Sequence, residues 1–183
     1  MPLSATTEYG LRCALQLARL PVGAHIAASE ISTKEGLSVQ YVSKLLHILR
    51  KEGLVEGVRG QCGGFRLSRH PGEIPLLEVI RALEPDKEFR DICNQFPGSE
   101  EECVHSEDCG MRPLWELLFG YFENILEKLT LLDISASEIE AYQKVHQTAV
   151  LQADLLQKRL AFKEASSQSP SQFKSKSEGV IPV

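Results

Sequence analysis

The stretch beginning at Ala27 constrains this chain most. A short amphipathic run to Glu35, with Ile31 facing inward, meets the turn Gly36-Leu37-Ser38. A second run then places Val42, Leu45, Leu46 and Leu49 at helical spacing and ends near Gly53. That spacing gives a helix one apolar face, and Ser38 carries the kind of side chain that caps a helix N-terminus. Two short helices joined by a three-residue turn containing glycine make a helix-turn-helix. Strand-like runs over 54–58 and 65–68 come next, separated by Arg59-Gly60-Gln61-Cys62-Gly63-Gly64. The three glycines there can supply the positive-φ positions of a tight reversal. A hairpin directly behind the second helix of such a pair is a wing.

The flanks extend this head. Leu11, Ala14, Leu15 and Ala18 lie on one face of a helix from Thr6 to Leu20, which Pro21 stops. Cys13 beside that face reads as a core residue, and Cys62 as a tolerated turn residue open to oxidation. Residues 75–83 predict a fourth helix whose Leu76, Leu77, Val79, Ile80 and Leu83 pack under the head. The expected fold class is therefore mainly α: a winged helix-turn-helix head, a cysteine loop and a long dimerisation helix. Residues 1–83 would form the DNA-binding domain, 84–112 the cysteine loop and 113–134 the long helix opened by Pro113. A further helix over 135–163 starts at the capping box Ser135-Ala136-Ser137-Glu138. The Ser-rich, apolar-poor residues 164–183 are expected to be disordered.

Leu114, Trp115, Leu117, Leu118, Phe119, Tyr121, Phe122, Ile125, Leu126, Leu129 and Leu132 cover more than one face of the long helix. A small head cannot bury them all. One face is expected on the head and another on a second copy, giving a homodimer.

Composition removes other classes. At 183 residues, 43% hydrophobic and 25% charged, the chain can bury a core without disulfide staples. No apolar run approaches the roughly 18 residues of a membrane span. Glu8, Arg12 and Arg19 break up the N-terminus, so no signal peptide is expected. A cytoplasmic protein with reduced thiols is the expectation, and an odd count of five cysteines favours a metal site or redox sensing over a disulfide scaffold. Residues 1–83 carry ten Lys/Arg against seven Asp/Glu, whereas residues 84–134 carry four against thirteen. A mildly basic head beside an acidic segment suits a nucleic-acid-binding part joined to a regulatory part.

The outward positions of the second helix are Gln40, Tyr41, Ser43, Lys44, His47 and Lys51. Gln can pair with adenine, Ser with several base edges, and Lys with guanine or phosphate. The helix N-terminus meets the bases, so Gln40, Ser43 and Lys44 are candidate base readers. Tyr41, Arg50 and Lys51 are candidates for phosphate or packing contacts. Arg59 at the wing turn is placed to enter a flanking minor groove, where the potential is most negative. The plainer reading is a solvated helix face.

Cys93, Cys103 and Cys109 are spaced C-x9-C-x5-C in a hydrophilic loop, away from any apolar stripe. Three soft thiolates suit an iron–sulfur cluster or zinc, either of which wants a fourth ligand. Glu8, His105, Glu107 and Asp108 are the candidates. Because Glu100, Glu101, Glu102, Glu107 and Asp108 surround the thiols, bare thiolates are disfavoured and a bound cation would hold them. Spare loop thiols or a disulfide switch are the other readings.

The stretch Gly53-Leu54-Val55-Glu56-Gly57-Val58-Arg59-Gly60-Gln61-Cys62-Gly63-Gly64-Phe65-Arg66-Leu67 resembles the signature of the Rrf-type (IscR/NsrR/RirA-like) bacterial regulators. Ile80-Arg81-Ala82-Leu83-Glu84 and the three-cysteine loop before a long helix fit the same pattern, over about residues 1–134. The resemblance implies a homodimeric winged-helix transcription factor with an iron–sulfur cluster on Cys93, Cys103 and Cys109. IscR-like members place a His three residues after the third cysteine, where this chain has Arg112. NsrR-like members use an acid on the first helix of the other subunit, and Glu8 occupies the matching place; His105 is the second choice. The first cysteine interval, nine residues, departs from the five of IscR- and NsrR-like members; of the two cluster types the resemblance offers, 4Fe–4S is preferred to 2Fe–2S. DNA contacts carry over to Gln40, Ser43 and Arg59, with Ser43 standing where IscR-like members have Glu.

The expected function is a DNA-binding repressor with double-stranded operator DNA as partner and no membrane. Its affinity would be set by a cluster sensing nitric oxide, redox state or iron. The alternatives are a cluster-free regulator controlled by a partner or by thiol oxidation, and an iron–sulfur electron carrier or maturation protein. No nucleophile–base pairing or phosphate-cradling loop points to an enzyme.

Overall fold

The computed structural model describes residues 4–60, 63–84, 96–105 and 107–167, with side chains described as far as residue 158. Helix α1 (Ala5–Ala18) starts where the Ser4 hydroxyl accepts from the Thr7 N–H at 3.2 Å. Its Cys13, Ala14, Leu17 and Ala18 are buried against α2 (Ala28–Glu35) and α3 (Val39–Lys51). Gly36 closes α2 at φ +66°, a left-handed position that suits glycine. The Ser32 hydroxyl donates to the Leu37 carbonyl at 2.6 Å, bracing the turn. Ser38 then caps α3 by accepting from the Tyr41 N–H. Ile31, Val42, Leu45, Leu46 and Leu49 are fully buried in the centre of the head.

Strands β1 (Val55–Val58) and β2 (Gly64–Leu67) pair antiparallel, Val55 opposite Leu67 and Val58 opposite Gly64. The wing is tied back to the head. Ile26 donates its N–H to the Phe65 carbonyl at 3.0 Å and accepts the Phe65 N–H at 2.9 Å. That contact changes what the wing glycines are for. Of Gly60, Gly63 and Gly64, Gly60 alone has a positive φ, +126°. Gly64 is needed because a Cβ there would stand 2.4 Å from the Ile26 carbonyl oxygen, a backbone atom that cannot step aside. Gly64→Ala is therefore expected to break the Ile26–Phe65 bridge at a cost of about 2 kcal/mol. Urea unfolding checks this; an unchanged midpoint would show that the wing docks by side-chain packing alone.

A 3₁₀ turn, Pro71–Glu73, leads to α4 (Leu76–Leu83), which is buried on two sides. Leu76, Val79 and Leu83 join the main core, while Leu77 and Ile80 meet Phe119 and Leu126 of α5 (Arg112–Lys128). The helix expected over 113–134 is not continuous. It stops at Lys128, because the chain turns extended at Leu129 and pairs with the segment before α4. The Leu76 N–H donates to the Leu129 carbonyl at 2.8 Å and the Leu131 N–H to the Ile74 carbonyl at 3.0 Å. Thr130 then caps the short α6 (Leu131–Ser135) in a capping box with Asp133.

The last helix, α7 (Glu138–Ser167), also starts differently from expectation. Ser137, not Ser135, exchanges hydrogen bonds with a partner three residues on: Ser137 N–H to Glu140, and Glu140 N–H to Ser137 Oγ. The Ser137 hydroxyl, donating at 2.7 Å, and then the Ser137 N–H hold the Glu140 carboxyl below its usual range. The helix runs past 163 into the stretch expected to be disordered; residues 168–183 lie outside the described residues. Lys144 reaches Asp133 at 3.6 Å, and the Tyr121 hydroxyl of α5 donates to the Ala149 carbonyl at 2.7 Å. Among the described residues, no helix is long and apolar enough to cross a membrane.

Candidate nucleic-acid interface and cysteine loop

Helix α3 divides its residues as a DNA-reading helix must. Its apolar stripe is sunk in the core, while Gln40, Lys44, His47, Arg50 and Lys51 are exposed and Ser43 is half-buried at the edge of that face. Arg50 and Lys51 also fill the last turn, where cations complement the helix dipole. Arg59 is exposed at the end of β1, beside the Gly60 reversal; Gln61 and Cys62 lie outside the described residues. Further down the wing, Arg66 lies on Glu56 at 3.0 Å across the strands, so its charge is largely compensated.

Tyr41 has a different setting from its neighbours. Its ring is half-buried and meets Tyr9 of α1 edge-on, with centroids 6.0 Å apart at 81°, the favoured arrangement for aromatic pairs. The Arg12 guanidinium lies 5.4 Å from the Tyr9 ring centre and reaches Glu35 of α2 at 2.6 Å. Of the two roles open to Tyr41, the geometry provides packing between α1 and α3. Sequence periodicity could not reveal this, because Tyr41 lies one residue off the apolar stripe.

Cys103 and Cys109 are free, half-buried thiols in the irregular segment before α5, among exposed Glu100, Glu101, Glu102, Glu107 and Asp108. Arg112 clamps the end of this segment: its backbone N–H donates to the Cys109 carbonyl at 3.2 Å and its Nη2 to the His105 carbonyl at 3.0 Å. The His105 side chain is exposed, as is Glu8 in the first turn of α1. Cys93 lies outside the described residues. Among the described residues, no three His, Cys, Asp or Glu side chains converge as a metal site. The donor chemistry nevertheless fits an iron–sulfur group: soft thiols, unbridged and outside the apolar core, in a segment whose acids favour a bound cation.

Cys13 belongs to the core instead. It is fully buried, and burial pushes its thiol from 9.0 up to about 11, with Glu35 adding to the rise and Arg12 opposing it. The folded protein thus keeps this proton longer than the unfolded chain does. The stabilisation is full below the unfolded value near 9.0 and is lost as pH climbs toward about 11. Denaturation midpoints should therefore fall more steeply between those values in the wild type than in Cys13→Ala. Equal slopes would remove Cys13 as the cause.

The comparisons with known proteins agree with this architecture. The family model described as Rrf2, iron-dependent transcriptional regulator, matches residues 3–137. The HTH-type transcriptional regulator NsrR of Shouchella clausii is 30% identical over 139 residues, which are 75% of this chain and 91% of that protein. Among solved structures, CymR, the global cysteine regulator of B. subtilis, superimposes with a TM-score of 0.62 at 27% identity, covering 74% of this chain and 96% of CymR. IscR of T. potens gives 0.59 at 28% identity, covering 73% and 85%. These relatives are regulators of transcription and not enzymes, and the matched residues 3–137 include α3, the wing and the segment before α5. The chain belongs to the Rrf2 family of winged-helix, DNA-binding transcriptional regulators.

Proposed function

We propose that this chain is a cytoplasmic, dimeric repressor whose grip on a double-stranded operator is governed by an iron–sulfur cluster. Cys93, Cys103 and Cys109 would hold the cluster. Glu8 of the partner subunit would be the fourth ligand, with His105 as second choice, and 4Fe–4S is favoured over 2Fe–2S. The observation that carries this reading is the pair of unbridged, half-buried thiols in an acidic segment leading directly into α5. Similarity to NsrR and IscR supports it.

When bound, such a cluster supplies a centre that reacts with nitric oxide and oxygen and is lost when iron is scarce. The remaining steps belong to the protein. Gln40, Ser43 and Lys44 read base edges in the major groove, Arg59 enters the neighbouring minor groove, and Tyr41 fixes α3 against α1. Helix α5 leaves Leu114, Leu117, Leu118 and Phe122 exposed on the side away from α4. That apolar face suits the same face of a second copy, an isologous contact, and would set the spacing of two reading helices on half-sites about one turn apart.

An operator selected from random duplexes tests the DNA surface. Gln40→Ala and Arg59→Ala should each weaken binding about 5- to 100-fold, with Gln40→Ala also relaxing base preference at one position. Unchanged affinity in both variants would reject the assigned surface.

A further inference from the structure

Helix α1 is pinned at its start by a part-buried polar joint. Thr7 is fully buried, and its hydroxyl donates to Glu84 Oε1, the same oxygen that accepts the Ser4 N–H at 3.2 Å. Ser4 is the N-cap of α1, and Glu84 is the residue that closes α4. Close behind, a Cβ on Gly10 would stand 2.5 Å from the Leu83 methyl carbons, so α1 and α4 are pressed together there. The Thr7 hydroxyl is removed from water while the Glu84 carboxylate is half-buried, and parting them would strand the desolvated hydroxyl without an acceptor.

The joint lies between two functional segments. Glu8, the exposed acid in the first turn of α1, directly follows Thr7, and Cys93 lies nine residues after Glu84 in the chain. From Tyr9 onward, α1 grips the DNA-reading pair: Tyr9 on Tyr41, Arg12 on the Glu35 carboxylate at 2.6 Å and its carbonyl at 3.2 Å, and Gln16 on Glu35 at 2.5 Å. One rigid helix therefore connects the chain entering the cysteine segment with both α2 and α3.

We infer that Thr7 and Glu84 are positioning residues: their hydrogen bond holds the first turn of α1, with Glu8, in register with the chain leading to Cys93, so that a rearrangement of the cysteine segment reaches α3 through α1. This rests on the cluster reading above. It requires that the two states of the cysteine segment favour different placements of α1, which is a coupling free energy and can be measured as a ratio of affinities.

The test uses the full chain prepared without oxygen, and the operator duplex selected by the wild type. Kd is measured with the cluster present and after its removal by chelation, alongside iron content, visible absorption and amide exchange in α3. Thr7→Val keeps the side-chain shape and removes the hydroxyl; Thr7→Ser keeps the hydroxyl. The wild-type ratio of the two Kd values should fall within the roughly 5- to 150-fold usual for coupled sites. In Thr7→Val it should drop below about 3-fold with iron content retained, and exchange in α3 should no longer respond to cluster removal. Thr7→Ser should restore the ratio to within about twofold. Should Thr7→Val fail to fold, Glu84→Ala, which removes the accepting oxygen, takes its place in the same measurements. An iron-loaded variant with the wild-type ratio overturns the joint alone. A wild-type protein without iron overturns the cluster reading and the joint with it.

Discussion

Cys103→Ala should yield a colourless, iron-poor protein that still binds its operator. Cys103 lies in the irregular segment before α5, outside the packed head, so removing its sulfur takes away a proposed ligand without opening the core. Iron–sulfur clusters are held by thiolates, and with two cysteines left in the segment the cluster should be absent or lost within minutes of exposure to air. Visible absorption with iron and sulfide analysis reads this directly. Operator affinity should equal that of the chelator-treated wild type and ignore nitric oxide. A coloured Cys103→Ala protein with full iron content would remove Cys103 from the ligand set. A colourless wild type from iron-replete, anaerobic cells would favour control by thiol oxidation, for which the half-buried Cys103 and Cys109 are the available groups.

The second large effect concerns the reading helix itself. Leu46 is fully buried in the middle of α3, and Leu46→Ala should cost about 3–4 kcal/mol, combining lost transfer energy and residual cavity. Domains of this kind hold about 5–15 kcal/mol in total, so the midpoint of thermal unfolding should drop by roughly 10 °C. Lys44→Ala, two residues away on the exposed face, should shift stability by less than about 0.5 kcal/mol while weakening operator binding. The pair separates the face of α3 that holds the head together from the face proposed to meet DNA. Similar losses of stability in both variants would mean that the faces are not divided as described.

The same division explains why α5 carries so many apolar residues. Phe119 and Leu126 pack on Leu77 and Ile80 of α4, and Glu123, buried between them, reaches Arg81 at 3.3 Å. A buried charge tolerates this position because it is hydrogen-bonded. Leu117, Leu118 and Phe122 point elsewhere and remain exposed. The isolated chain thus presents an apolar surface that a second copy would cover.

The helices α1 to α4, the turn at Gly36 and the wing were legible in the amino-acid order, because each is specified by neighbours within a few residues. A stripe of leucines, a capping serine and a glycine reversal act locally, and no distant partner is needed to read them. The cysteine spacing marks candidate donors, of which Cys93 lies outside the described residues, and no group that could hold a metal forms among the described ones. Contacts across the chain were not legible. The period of α5 says that it is apolar all round, but only the packing of α4 decides that Phe119, Glu123 and Leu126 face inward. The break at Leu129 arises from hydrogen bonds to Ile74 and Leu76, more than fifty residues earlier in the chain. Gly64 looks like a turn residue until the Ile26 carbonyl stands against it. Thr7 and Glu84 look like a helix start and a helix end, since a hydrogen bond between residues 77 positions apart leaves no periodic trace in sequence. Local pattern determines which elements form, and long-range hydrogen bonding and close packing determine how they are joined.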